Sequence, residues 1–301
     1  MGAEQRITFD SSGLDATINY LKYRTRDNFR VLVATRGNDF AFRHYQWSNM
    51  DTRTTAKEFW AGVLAKIPDW EAAIGHVSAV REHLQKQGQA MWLPGVLEYL
   101  PRGHTFDATV YLNLGYDNIA YGEDVALNLN HAPFHVDHHE AVYYLMHELA
   151  HAGYLKYNKI PNLTTPRTWS ELAANVMFLT NLEGMGVLTP LRLRKKEARL
   201  GDPDYVALGD PAERKRRVNA YFEELERLES DPDRTVEEGD LEIYDRFSER
   251  PHRLWYVVGC HMAQVIEASR GVDALRELVR FGSQDFFEAY RGIQDPVRSL
   301  V

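Results

Sequence analysis

The chain is predicted to be a mostly helical α+β protein, and three observations lead there. Long amphipathic stretches with helix-capping residues fill both ends of the sequence. Two short alternating segments, DATVYLNLG (107–115) and EDVALNLNH (123–131), have the period of strands. These strands lead directly into HVDHHEAVYYLMHELAHAG (135–153), a helix of about four turns. A small antiparallel or mixed sheet beside many helices is the architecture this order predicts. With 301 residues, 44% of them hydrophobic, the chain can bury the core of one large domain or two modest ones.

The elements follow in order. SSGLDATINYLKYR (11–24) opens on serine caps and carries Leu14, Ile18 and Leu21 at helical spacing. FRVLVAT (29–35) reads as a short strand. TTAKEFWAGVLAKIPDW (54–70) is a second helix, stopped at Pro68, and residues 69–88 form a third, ending at Gly88. In the first strand Val110, Leu112 and Leu114 share one face, with Tyr111 and Asn113 on the other, so the strands are expected to be half-buried. The helix after them should end at Gly153, a natural C-terminal cap. Beyond a loop over 158–167, Thr168 or Ser170 caps a helix through ELAANVMFLTNL (171–182), which should stop in EGMG (183–186) with Pro190 beyond. DPAERKRRVNAYFEELERLE (210–229) starts with Asp-Pro, a good helix opening, and DPDRTVEEGD (231–240) is a polar connector. HRLWYVVGCHMAQVIEASRG (252–271) begins the last helices. Residues 1–100 are therefore expected as a helical N-terminal region, a lobe of the same domain, and residues 101–301 as the main domain, which carries the motif described below.

Composition removes several function classes. The net charge of −8 argues against nucleic acid as a partner, since affinity for phosphate comes from clustered Lys and Arg. The most basic stretch, RLRKKEAR (192–199), reads as a solvated helix face. The single cysteine, Cys260, excludes an internal disulfide and a cysteine-rich zinc cluster. The start, MGAEQRITFD, has no apolar segment of signal-peptide length, and no run approaches eighteen apolar residues, so no membrane is expected and the location is expected to be cytoplasmic.

Chemistry concentrates in HELAH (147–151). His147 and His151, four residues apart, lie on one helix face and can share one metal ion. Glu148 is rotated to the flank of such a site, beside a metal-activated water, where it can serve as general base. Zn²⁺ is the expected cofactor. A third ligand is required. The H-x-x-G-x-x-H continuation is absent, because Tyr154 stands for its Gly and Tyr157 for its His. Cys260 has the wrong setting for a cysteine ligand. A glutamate on the next helix remains: Glu171, in the first turn, where the helix dipole helps to hold a carboxylate. Ala173 and Ala174 would allow close packing there, and Asn175 would orient a ligand histidine. Glu183 is the rival, twelve residues further on and so roughly 18 Å along an unbroken helix. Only one of the two can reach the ion; Glu171 is preferred.

His147, Glu148, His151 and Glu171, the last inside E-x-x-A-N, resemble the gluzincin branch of the zincin metallopeptidases over residues 105–190. YVVGCHMAQVIEASRG (256–271) is similar to a C-terminal helix of several zinc-dependent peptidases of unknown substrate. The resemblance implies a zincin-like fold and a strand that edges the cleft and pairs with extended substrate. It departs at Asn175, where the family often has Asp. It also implies an oxyanion donor, Tyr or His, from the C-terminal half; Tyr256 and His252 in PHRLWY (251–256) are the candidates, Tyr256 preferred because Gly259 would let its helix come close. His131, His135, His138 and His139 match no familiar ligand spacing and read as rim or capping residues. The aromatics of FRHYQW (42–47) read mostly as packing, with a cleft wall as the other use. The predicted function is zinc-dependent hydrolysis of a peptide or small amide. The alternatives are a zinc enzyme acting on a non-peptide small molecule and a non-catalytic binding module on the same scaffold.

Overall fold

The structure is a computed structural model and describes residues 5–249 and 251–298. In chain order the elements are β1 (Arg6–Asp10), α1 (Ser12–Tyr23), α2 (Arg26–Ala34), α3 (Arg36–Asn49), α4 (Ala56–Ala65), α5 (Trp70–Lys86) and α6 (Gln89–Glu98). Then come β2 (Asp107–Asn113), β3 (Ile119–Tyr121), β4 (Asp124–Asn128), α7 (Ala132–Val136) and α8 (Glu140–Leu155). The remainder is helical: α9 (Trp169–Lys196), α10 (Pro203–Gly209), α11 (Pro211–Glu229), α12 (Glu242–Ser248), α13 (Leu254–Arg270), α14 (Val272–Phe281) and α15 (Ser283–Arg291). Two compact units result, one from Met1–Leu93 with Thr105–Ala152, the other from Pro94–His104 with Gly153–Val301.

The first unit holds a mixed sheet in the order β1-β2-β4-β3. β1 and β2 are parallel, with Ile7 beside Ala108, as are β2 and β4, with Val110 beside Val125. Parallel neighbours need a long crossover, and the helices from α1 onward supply it between β1 and β2. β3 joins antiparallel to β4 through a short turn containing Gly122, whose φ of 67° is glycine's territory. β1 and β3 are too short and too mixed in pattern to stand out in the sequence.

Two expectations are corrected in this unit. The strands are not half-buried: Tyr111 and Asn113 are as buried as Val110 and Leu112. α3 covers the face that looks polar, with Phe40 packed on Tyr111 at 5.0 Å between ring centres. FRVLVAT is not a strand either. All but its last residue lies in α2, where the Thr25 hydroxyl accepts from the Asn28 amide and only Leu32 is buried. A lone buried leucine on a capped segment suits a surface helix better than a strand. Other caps follow the sequence: Thr55 and Glu58 form a capping box at α4, and Asp69 caps α5.

In the second unit α9 is the spine. Thr168 caps it by accepting from the Glu171 amide. The polar connector holds its start in place, since the Trp169 and Ser170 amides donate to the carbonyls of Arg234 and Pro232 at 2.9 Å. α9 does not stop at EGMG; it runs 28 residues, through Pro190, to Lys196. Its glycines serve packing. A Cβ on Gly184 would lie 2.3 Å from the Gly259 carbonyl carbon, and one on Gly259 would lie 2.1 Å from the Thr180 oxygen. Only two glycines let the α9 and α13 backbones meet this closely. Gly153 likewise does not end α8, which continues to Leu155; a Cβ there would meet Leu100 at 2.6 Å.

Candidate metal centre

α8 forms because apolar residues surround it almost completely: Ala141, Val142, Leu145, Met146 and Leu149 are fully buried. Such a helix lies inside the protein, so its polar residues stand out. Glu148 and His151 are 6% and 7% exposed, which is rare for a carboxylate unless it has a task or a partner. The rings of His147 and His151 lie 4.3 Å apart, tilted by 65°. A Glu148 oxygen is 3.6 Å from His151 Nδ1, beside the pair without forming a hydrogen bond to it.

The carboxylate that accompanies these histidines is that of Glu183. His147, His151 and Glu183 each offer one ligand atom, and the three atoms lie within 4.8 Å of one another. This corrects the preference for Glu171. The Glu171 side chain is 40% exposed and accepts from the Arg167 amide at 2.7 Å and from its guanidinium at 2.9 Å. Those bonds, the backbone one first, lower its pKa. Because α9 is unbroken between the two glutamates, Glu171 cannot take the place of Glu183 at one ion. Asn175 does not orient a histidine: its amide donates to the Asn162 carbonyl at 2.7 Å and to the Tyr244 hydroxyl at 2.9 Å.

Near Glu183 in the second unit stands Arg253, which sequence reasoning passed over. It has the left-handed φ of 46°, an uncommon conformation for a side chain of its size. Three contacts of 2.8–3.2 Å to the Asp204 carboxylate hold it. Burial acts against its charge, but the hydrogen bonds to Asp204, the Tyr256 phenol and the carboxylates of Asp204 and Glu183 outweigh that and raise its pKa. Its guanidinium carbon lies 3.4 Å from the centre of the Tyr256 ring. Tyr256 is thus held by a cation that also feels Glu183. His252 is exposed on the turn before α13.

In the first unit, His44 of α3 is a second residue that the sequence hid, inside FRHYQW. Its Nδ1 is 3.0 Å from the Tyr116 hydroxyl, and its ring packs against Trp47, Tyr116 and Tyr121. Burial lowers its pKa to about 4, while the Glu148 charge pulls the other way. A wall of aromatics with one neutral imidazole therefore lies within the field of Glu148.

Two imidazole nitrogens and a carboxylate oxygen suit Zn²⁺, whose tetrahedral ligands at about 2.0–2.1 Å stand roughly 3.3 Å apart. Donor atoms already within 4.8 Å need only small side-chain adjustments. A cluster of this kind, on a mostly helical chain with one small mixed sheet, defines a zinc-binding protein of hydrolase type. The chain belongs to the family described as "Putative zinc dependent peptidase (DUF5700)", whose model matches residues 41–294. No curated protein and no solved structure matches it. Among the described residues no helix is long and apolar enough to cross a membrane.

Proposed function

We propose that the protein is a gluzincin-type metallopeptidase on a zincin-like scaffold, with His147, His151 and Glu183 as zinc ligands and Glu148 as general base. The observation that carries this reading is the convergence of those three ligand atoms beside a buried glutamate. Zinc bound there supplies Lewis acidity and lowers the pKa of water towards neutrality. Glu148 takes the proton of the attacking water and passes it to the leaving amine. The Tyr256 hydroxyl, steadied by Arg253 across its ring, donates to the oxyanion; His252 is too exposed to be the better donor. β3 is a three-residue antiparallel edge strand, so its free side can add a strand of extended peptide. His44, kept neutral by burial, feels the charge of Glu148 within the same unit.

Elemental analysis combined with cleavage of a peptide library tests the proposal. One zinc per chain, with amide cleavage that disappears on chelation and returns with zinc, is expected. A chain without stoichiometric zinc would overturn it.

A further inference from the structure

An aromatic wall stands beside the edge strand β3. Ile119 of β3 lies opposite Ala126 of β4, and Tyr121, two residues on, shares its face of the sheet. That face is the one α3 covers, where Phe40 packs with Tyr111, Ile119 and Ala126. From the last turns of α3, His44 and Trp47 reach Tyr121, with ring centres 6.1 and 5.7 Å from its own. Tyr116, in the connection from β2 to β3, packs on His44 and sets its hydroxyl 3.0 Å from His44 Nδ1. The wall has an open side, since Trp47 is 39% exposed and Tyr121 half-buried.

Burial keeps the His44 ring neutral and the Tyr116 phenol protonated. The phenol therefore donates to Nδ1, and the imidazole proton sits on Nε2. Nε2 has no hydrogen-bond partner among the described residues, and it is not one of the enclosed polar atoms. A donor fixed in this way and open to solvent can bond a ligand. We propose that His44 and Trp47 set the specificity of the site: the His44 Nε2–H donates to a backbone carbonyl of an extended peptide along β3, and Trp47 with Tyr121 holds a large apolar side chain of that peptide. The inference rests on the metallopeptidase reading and names its substrate class. Three features select this occupant over a small amide. The free side of β3 calls for an extended backbone, the Nε2 proton for a neutral acceptor, and the rings for an aromatic or long aliphatic side chain. The negative charge of Glu148, felt at His44, disfavours an acidic side chain there.

The test uses zinc-loaded protein in two assays. Cleavage of a peptide library should favour Phe, Tyr, Trp, Leu or Met over Ala, Asp and Glu at one position near the scissile bond, by about tenfold or more. Binding is then measured by calorimetry on the Glu148→Gln protein, with acetyl-Ala-Ala-Phe-Ala-Ala-amide and the same peptide with Ala for Phe as probes. The Phe peptide should bind about tenfold tighter. His44→Phe, which keeps the ring packing and removes the N–H, should weaken both peptides by up to about tenfold. Trp47→Ala, an exposed position, should weaken the Phe peptide alone and narrow the difference between the two. Melting temperature and zinc content should stay at the parent's values in both variants. Equal binding of the two peptides, or binding unchanged by His44→Phe and Trp47→Ala, would overturn the inference even if the library is cleaved. The expected binding pattern without any cleavage by the parent would instead uphold the peptide site and count against the peptidase reading.

Discussion

Gly184→Ala puts the meeting of α9 and α13 to a sharp test. The new methyl carbon would sit 2.3 Å from the Gly259 carbonyl carbon and 2.4 Å from its Cα. That is about 1.2 Å short of the roughly 3.5 Å at which two carbons rest. The obstructing atoms are backbone, so no side chain can swing aside and the helices must separate. Overpacking of this kind costs about 1–3 kcal/mol, here towards the upper end. Alanine's better helix propensity returns about 1 kcal/mol, leaving a loss of about 2 kcal/mol. For a unit of this size that lowers Tm by about 4–8 °C. Glu183 is the neighbouring residue, so its carboxylate moves with the helix and zinc affinity should fall as well. Calorimetric unfolding and a zinc titration measure both effects. Gly62→Ala is the control of opposite sign: it is exposed in α4, its Cβ meets nothing within 4 Å, and it should add about 1 kcal/mol of stability. If Gly184→Ala unfolds at or above the parent's temperature with unchanged zinc affinity, the two helices do not meet as described.

Other predictions concern the site and the pH response. Glu183→Gln should weaken zinc binding on the order of a hundredfold or more, whereas Glu171→Gln, which loses only its Arg167 contacts, should leave it intact in a competitive chelator titration. Tyr256→Phe should lower kcat on the order of a hundredfold with zinc retained, and His252→Ala should not; equal kcat for Tyr256→Phe and parent would remove Tyr256 from the mechanism. His104, 5% exposed, has its pKa lowered to about 4 by burial and by Lys156. Its folded pKa lies below the ordinary value of 6.5, so the unfolded chain binds more protons between the two. His104 therefore makes stability fall as pH drops from about 6.5 towards about 4. Urea midpoints across that window should slope less in His104→Gln; an identical slope would refute the assignment.

How much of this could be read from residues alone follows from the range of the forces involved. α8 was legible, because an apolar helix bearing His147, Glu148 and His151 is a local pattern with a chemical meaning. Which carboxylate groups with the two histidines was not. Glu171 has the local marks of a ligand, a first-turn position after a cap, but those marks serve its bonds to Arg167. Glu183 was discounted because Gly184 beside it read as a helix stop. The reason for that glycine is Gly259, seventy-five positions away, and no local pattern reports a meeting of two backbones. β2 was legible as a strand but its burial was not, since α3 covers the face that carries Tyr111 and Asn113. Arg253 and His44 were invisible for a related reason: each matters through a charge that only folding brings near, Glu183 in one case and Glu148 in the other.

The central claim is that Glu148 does chemistry while its neighbours hold the metal, and Glu148→Gln examines it most directly. The substitution keeps the shape of the side chain and removes its basicity. Zinc content and peptide cleavage should be measured together on the parent and the variant. The account predicts equal zinc in both and a loss of turnover on the order of a hundredfold or more in the variant. Undiminished cleavage by a zinc-loaded Glu148→Gln protein would contradict it.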